Sequence, residues 1–497
     1  MSTVTAAKPS RISSFLNQSP IPLYIGGRWQ PAKDGKTIQV LAPSDGTQLA
    51  TVSGASGADV DAAVEAAWAA FPQWAGLAPN DRSVLLHRLA DAIDQHSEEI
   101  AQLESLDVGK PLSAARNFDV PFASQAYRYY ADISVHVRRS EPIGLKGIEA
   151  RQLRVPYGPC GFIVPWNFPF VLFAWGAAPA LAAGNTIVLK PAELTPLTSL
   201  FMGRLAEEVG FPKGVINVVP GLGETAGAAL SRHTRIKRMS FTGSPEVGKM
   251  VAEACGRNLI PCKLELGGKG AAVVFDDVDV KSTATALANA ITLNTGQVCC
   301  TATRWMVHEK IYDQLVSEAA AVLKNTKIGP GIEESTEMGP LVSDTQRSRV
   351  LGYLEKGMKQ GGKLLLEGGP AKVPGHEGGY FVKPALLTGP KDNVCNREEI
   401  FGPVAYVVPF KDEEAVIQDV NSSPYGLANS VWSSDLNRAN RVAERLVAGN
   451  SWINAHNVFA YGLPYPGANL SGIGGGVNSP ETFYDYLRHQ TIARPLG

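Results

Sequence analysis

The chain has 497 residues, 44% of them hydrophobic and 19% charged, and its 46 basic and 47 acidic side chains leave a net charge of −1. That length exceeds one simple core and predicts two or three domains. A near-neutral chain without a sustained basic block argues against nucleic acid or an anionic membrane as partner, and no apolar run is long enough to span a bilayer.

The first twenty residues are small and polar, with Lys8 and Arg11 and no acid. They lack the apolar core of a secretory signal and the arginine content of a transit peptide. Residues 1–20 are therefore expected to form a disordered tail on a cytoplasmic protein. Residues 23–29 predict a strand broken at Gly26-Gly27, and 37–41 and 48–52 predict two more, an antiparallel lead-in. From Ala58 the pattern is helical: Val60, Val64, Trp68 and Phe71 recur at helical spacing, and Pro72 is expected to end the run. Residues 82–106 read as one long amphipathic helix stopped by Gly109-Lys110-Pro111. Residues 118–137 read as a further helix and 138–155 as extended chain.

From Gly161 the chain alternates strand and helix. Strands are expected near 161–165, 186–190, 215–219 and 238–241, each followed by a helix, which implies a parallel sheet with right-handed crossovers. Ligands bind such sheets at the carboxyl ends of the strands. Asn167, Lys190, Glu193, Gly221 and Gly243 all fall there. A second α/β pattern starts near Gly270, with strands expected at 271–275, 304–307, 380–387, 405–409 and 452–454. The end of the chain is glycine-rich, with an extended segment expected over 484–494.

The six cysteines are Cys160, Cys255, Cys262, Cys299, Cys300 and Cys395. They form no C-x-x-C pair, and the eight histidines show no paired spacing, so no metal site or disulfide framework is expected. Cys299-Cys300 ends the stretch Asn294-Thr295-Gly296-Gln297-Val298-Cys299-Cys300, after an apolar run. Free cysteines are usually small buried hydrophobes. Three other stretches point instead to a nucleophile: Val164-Pro165-Trp166-Asn167-Phe168-Pro169, Leu264-Glu265-Leu266-Gly267-Gly268-Lys269 and Glu398-Glu399-Ile400-Phe401-Gly402-Pro403. With the thiol they supply an oxyanion donor, a general base and a cofactor clamp.

Gly221-Leu222-Gly223-Glu224-Thr225-Ala226-Gly227 is one residue longer than the usual dinucleotide fingerprint, and a plain strand-to-helix turn explains it equally well. Phe241-Thr242-Gly243-Ser244 opens a second helix whose N-terminus suits a phosphate. In Lys190-Pro191-Ala192-Glu193 the carboxylate suits two ribose hydroxyls and repels a 2′-phosphate, which favours NAD over NADP.

With these motifs in their order, the chain resembles the NAD(P)-dependent aldehyde dehydrogenase superfamily from about Leu23 to its end. The resemblance implies an α/β fold: a Rossmann-like cofactor domain (21–137 and 156–266), a catalytic domain (267–479) and a small β oligomerisation flap (138–155 and 480–497). It implies Cys299 as nucleophile, with Cys300 its variable neighbour, Glu265 as general base, 34 residues upstream, and Asn167 as oxyanion donor. Lys190 and Glu193 would meet the adenosine ribose, Trp166 and Ser244 the pyrophosphate, and Glu399 and Phe401 the nicotinamide half. Ile163, Val164, Pro165, Gly223, Gly227, Phe241, Gly243, Val247 and Leu266 complete the implied cofactor contacts. Phe168, Leu172, Trp175, Leu293, Phe459 and Tyr465 would line the substrate tunnel. A small-molecule aldehyde substrate and a homodimer or homotetramer follow.

The resemblance is incomplete at Pro464-Tyr465-Pro466-Gly467-Ala468-Asn469-Leu470-Ser471-Gly472-Ile473-Gly474-Gly475-Gly476, where the family often carries a lysine and an Arg-Glu pair. The tunnel aromatics suit an apolar aldehyde or, by cation–π contact, a cation, and the partial similarity to betaine aldehyde and aminoaldehyde dehydrogenases makes a betaine or aminoaldehyde the expected substrate. Leu293 sits where cation boxes commonly carry tryptophan, so only part of a box is present. Two competing functions are a coenzyme A-acylating dehydrogenase, which Glu265 argues against, and a catalytically silent scaffold of the same fold.

Overall fold

The computed structural model describes residues 12–496. Two sheets organise them. The first runs Arg28–Gln30, Leu23–Ile25, Ile216–Val218, Thr186–Lys190, Pro159–Ile163, Arg238–Thr242, Cys262–Glu265 and Gly472–Ile473. Its five central strands are parallel. Leu23–Ile25 and Gly472–Ile473 pair antiparallel at either side of them. Thr186–Lys190 is buried at every position, as a parallel strand covered on both faces must be. The helix Pro169–Ala183 is buried except at Leu172, which borders the cavity described below.

The second sheet runs Lys363–Leu366, Ala385–Thr388, Val404–Phe410, Ala302–His308, Gly270–Val274, Ala428–Trp432 and Asn450–Ile453. It is parallel except at Lys363–Leu366. Ser140–Leu145, Ile148–Pro156 and Leu487–Pro495 make a separate three-stranded antiparallel sheet. It leaves Ile143, Leu145, Ile148 and Ile492 exposed.

Several expectations are corrected. The expected disordered tail lies outside the described residues over 1–11. From residue 12 the chain is docked: the short helix Ser13–Leu16 follows Ile12, and Ile12, Phe15 and Leu16 are buried in the first core. Phe15 meets Phe201 edge-on at 5.6 Å. Pro72 does not end its helix, which runs Gly57–Gly76. Trp74, two residues further, is fully buried and donates to the Leu181 carbonyl at 3.2 Å, anchoring the turn that the missing proline N–H weakens. The long helix over 82–106 is two helices, Pro79–Gln95 and Ser97–Val108, meeting at His96. Glu98 and Glu99 give the second helix an acidic first turn, where the dipole favours them. Gly472–Ile473, expected in the catalytic unit, instead forms an edge of the first sheet beside the strand carrying Glu265.

Candidate active site

The helix Val280–Thr292 runs into a tight turn, Leu293–Gly296. Asn294, Thr295 and Gly296 all take positive φ, at 46°, 56° and 70°. Two of these are not glycine, and such backbone costs about 1–3 kcal/mol per residue unless its surroundings hold it. Here they do. Asn294 Nδ2 donates to the Asn167 carbonyl at 2.8 Å, Gln297 Nε2 to the Asn294 carbonyl at 3.0 Å, and Thr295 Oγ1 to the Gly339 carbonyl at 2.9 Å. Gln297 Oε1 accepts from the Val342 N–H at 2.9 Å. At Gly296 a Cβ would lie 2.2 Å from the Gly402 carbonyl carbon, so a side chain is excluded. The turn delivers Cys299 to the wall of a cavity of about 570 Å³.

Cys299, Glu265 and Asn167, expected to act together, all border this cavity. Cys299 is partly buried, with Tyr465 Oη 3.7 Å from Sγ. Contact with the Cys300 thiol, then burial, pushes its pKa well up. Glu265 ends the strand Cys262–Glu265, and neither carboxyl oxygen has a hydrogen-bond partner among the described residues. Burial pushes Glu265 well above the carboxylate range; Lys263 opposes the shift and a Cys299 thiolate adds to it. Asn167 follows the strand Pro159–Ile163, and its Nδ2 donates to the Gln297 carbonyl at 2.9 Å.

Of the expected cofactor contacts, Pro165, Trp166, Gly243, Ser244, Leu266, Glu399 and Phe401 border the same cavity. The Gly268 N–H donates to Glu399 Oε1 at 2.9 Å, and a Cβ at Gly267 would lie 2.3 Å from Oε2. The Gly-Gly pair thus lets this carboxylate approach the backbone. Burial raises the Glu399 pKa to about 7. Trp166 meets Phe401 edge-on at 5.2 Å.

Ile163, Val164, Lys190, Glu193, Gly223, Gly227, Phe241 and Val247 are not in the cavity wall. Most of them still gather at or just beyond the carboxyl ends of the parallel strands. Ile163 pairs with Lys190, the Val164 N–H donates to the Lys190 carbonyl at 3.1 Å, and a Cβ on Gly227 would touch Lys190 and Ile163. Lys190 is buried, donates to the Pro191 carbonyl at 2.7 Å and meets Glu193 at 3.4 Å; burial lowers its pKa. The Phe241 ring packs under Gly243, the Val247 N–H donates to Ser244 Oγ at 3.3 Å, and Gly223 faces open space.

All the expected tunnel residues, Phe168, Leu172, Trp175, Leu293, Phe459 and Tyr465, line the cavity. Trp175 lies 5.8 Å from Tyr465 and Phe459 5.6 Å from Tyr465. Sequence reasoning missed Phe118, which packs 5.8 Å from Phe459 and stands in an irregular helical stretch with no motif around it. It also missed three residues of one helix, Asp344–Lys359, that hold the Glu399 loop. Gln346 donates to the Phe401 carbonyl at 2.7 Å, Arg349 to the Glu399 carbonyl at 2.8 Å, and Tyr353 to Glu398 at 2.8 Å. Their helical spacing was legible; their loop partner, some fifty residues away, was not.

The atypical 464–476 segment packs beside the strand that carries Glu265. Ser471 Oγ donates to the Gly267 carbonyl at 2.7 Å and accepts from the Gly426 N–H at 2.9 Å, while its carbonyl accepts from the Leu266 N–H at 2.8 Å. It therefore braces the backbone immediately after Glu265 from the edge of the first sheet.

Residues 29–492 match the family model described as the aldehyde dehydrogenase family. A mitochondrial aldehyde dehydrogenase of Leishmania tarentolae is 42% identical, over 91% of this chain and 90% of its own. A phenylacetaldehyde dehydrogenase of Pseudomonas fluorescens is 40% identical, over 96% and 95%. The solved NAD+ complex of an aldehyde dehydrogenase from Bacillus cereus superposes with a TM-score of 0.95 at 39% identity, covering 98% of this chain and 99% of that one.

Proposed function

The chain belongs to the aldehyde dehydrogenase family and oxidises aldehydes with NAD, and from that premise we propose that Cys299 is its nucleophile, Asn167 its oxyanion donor and Glu265 the base that activates water. An sp² aldehyde carbon cannot release its hydrogen as hydride, so a nucleophile adds first. Cys299 Sγ, as the thiolate left when its proton passes to solvent, makes that bond, and the negative oxygen it creates is met by Asn167 Nδ2 and the Cys299 N–H, worth roughly 3–4 kcal/mol per donor. When bound, NAD supplies the hydride acceptor, and loss of hydride leaves a thioester on Cys299. Glu265 takes a proton from the water that cleaves it.

The observation that carries this reading is the buried Glu265 carboxyl, without a partner among the described residues and bordering the same cavity as Cys299. An unpaired buried carboxyl is expensive to keep unless it has work to do. The same residue argues against coenzyme A acylation and a silent scaffold. Steady-state NADH formation in Cys299→Ala and Glu265→Gln tests it: both lose turnover while NAD still binds. Retained turnover in either removes that residue from its role.

NAD preference rests on Glu193, whose carboxylate repels a 2′-phosphate. The three-stranded sheet with its exposed isoleucines and leucine is assigned as the oligomerisation flap of a homodimer or homotetramer. Residues 21–137 and 156–266 are assigned to cofactor binding and 267–479 to catalysis, with Gly472–Ile473 crossing between them. No helix among the described residues is long and apolar enough to cross a membrane. The six free cysteines support the reducing cytoplasm as compartment.

For the substrate, the walls favour an apolar or aromatic aldehyde over a betaine or aminoaldehyde. Lys110 Nζ stands 4.1 Å from the Phe168 ring centroid, so this ring already carries a cation. Comparing kcat/KM for betaine aldehyde with that for its uncharged isostere 3,3-dimethylbutanal tests this. Preference for the isostere supports the apolar reading, and preference for betaine aldehyde overturns it.

A further inference from the structure

The bonds of Asn294, Thr295 and Gln297 hold the turn before Cys299. The chain after it is held from a different direction, by His456 in the loop that follows the strand Asn450–Ile453. His456 Nε2 lies 2.8 Å from the Cys300 carbonyl oxygen and Nδ1 lies 3.0 Å from Ser430 Oγ. A carbonyl only accepts, so Nε2 carries the proton and Nδ1 accepts from the Ser430 hydroxyl. Ser430 Oγ in turn accepts from Trp432 Nε1 at 2.9 Å. The result is a directional chain, Trp432 to Ser430 to His456 to Cys300, in which each donor has one acceptor. Trp452 packs edge-on against the imidazole at 4.8 Å, and Cys300 Sγ meets Asn457 Oδ1 at 3.4 Å. His456 stands between two residues of positive φ, Asn454 at 51° and Asn457 at 59°, and Asn454 is bonded both ways to the Ser433 backbone at 2.9 Å.

We propose that His456 is a positioning residue for the Cys299 nucleophile: as a neutral imidazole it holds the Cys300 carbonyl, and so fixes the Cys300–Thr301 peptide and, through it, the chain that carries the thiol. It is not among the residues that line the cavity. Burial lowers its pKa to about 4, in keeping with a ring that stays neutral across the working range. Its effect is on the placement of reacting atoms, where a shift of about 1 Å costs on the order of a hundredfold in rate.

The inference rests on the assignment of Cys299 as nucleophile, and the test separates the two. His456→Phe keeps a ring against Trp452 and removes the donor; His456→Gln keeps an amide N–H for the Cys300 carbonyl. Each is assayed for kcat, for KM of NAD and for the rate of Cys299 alkylation by iodoacetamide, the last needing no turnover. His456→Phe is expected to lose roughly tenfold or more in kcat and to change the alkylation rate, with the KM for NAD unchanged and most of the loss restored in His456→Gln. Equal kcat in wild type and His456→Phe overturns the proposal. So does equal impairment of both variants, which makes packing rather than the donated hydrogen bond the operative contact. If wild type itself turns over no aldehyde, the function assignment fails, and the alkylation rates alone decide the role of His456.

Discussion

Asn167 Nδ2 donates to the carbonyl of Gln297, two residues before Cys299, at 2.9 Å, and the Asn167 carbonyl accepts from Asn294 of the same turn at 2.8 Å. The proposed oxyanion donor and the turn that precedes the proposed nucleophile are thus locked together. One amide hydrogen of Asn167 is engaged by that bond, and the other remains for substrate. Asn167→Ala is expected to lower kcat by roughly a hundredfold or more. Stopped-flow measurement of NADH formation checks it; a change under threefold contradicts the role.

Both proposed reacting groups titrate high, and the sign of the pH dependence follows. Contact with Cys300 and burial raise the thiol, and burial raises the Glu265 carboxyl. The basic form of each therefore grows as pH rises, so kcat/KM climbs from neutral into alkaline pH. Because a Cys299 thiolate disfavours ionisation of Glu265, the reverse coupling holds as well. Glu265→Gln removes it, and the midpoint of Cys299 alkylation moves to lower pH. A profile that falls through neutrality, or an unmoved midpoint, contradicts the coupling.

Gln297 is fully buried and spans the turn with both ends of its amide. Gln297→Ala leaves the Val342 N–H without this acceptor, at a cost of about 1–3 kcal/mol. It also releases the strained residues 294–296. A lower denaturation midpoint together with a lower kcat is expected. A variant that loses stability but keeps full kcat makes the bridge structural only.

Glu193 sits in the turn three residues beyond the strand Thr186–Lys190, partly exposed beside the buried Lys190. Glu193→Ser is expected to weaken NAD and improve NADP, so that the ratio of their kcat/KM values shifts by roughly tenfold or more, the loss of one ribose contact and one like-charge repulsion. An unchanged ratio places the discrimination elsewhere.

What the sequence made legible was local. Pro165-Trp166-Asn167, Glu265-Leu266-Gly267-Gly268 and Gln297-Val298-Cys299 each bring their chemistry within a few consecutive residues, and each lies at a strand end or on a tight turn where backbone geometry exposes it. The alternation of strand and helix gave the parallel order around Thr186–Lys190. What stayed hidden was set by tertiary packing. Pro72 is carried inside a helix because Trp74 is buried beyond it, and Ile12, Phe15 and Leu16 bind a core that the local pattern does not show. Phe118, Arg349 and His456 act on residues distant in sequence, and no spacing announces such partners. The Gly472–Ile473 edge strand is two residues long in a glycine-rich run, too short for alternation to register.

The most direct test of the account is mass spectrometry of Glu265→Gln enzyme quenched during turnover with NAD and aldehyde. The peptide containing Cys299 is predicted to carry the acyl mass of the oxidised substrate, bound as a thioester and released by hydroxylamine. An unmodified Cys299 peptide in enzyme that has formed NADH would contradict covalent catalysis at this thiol.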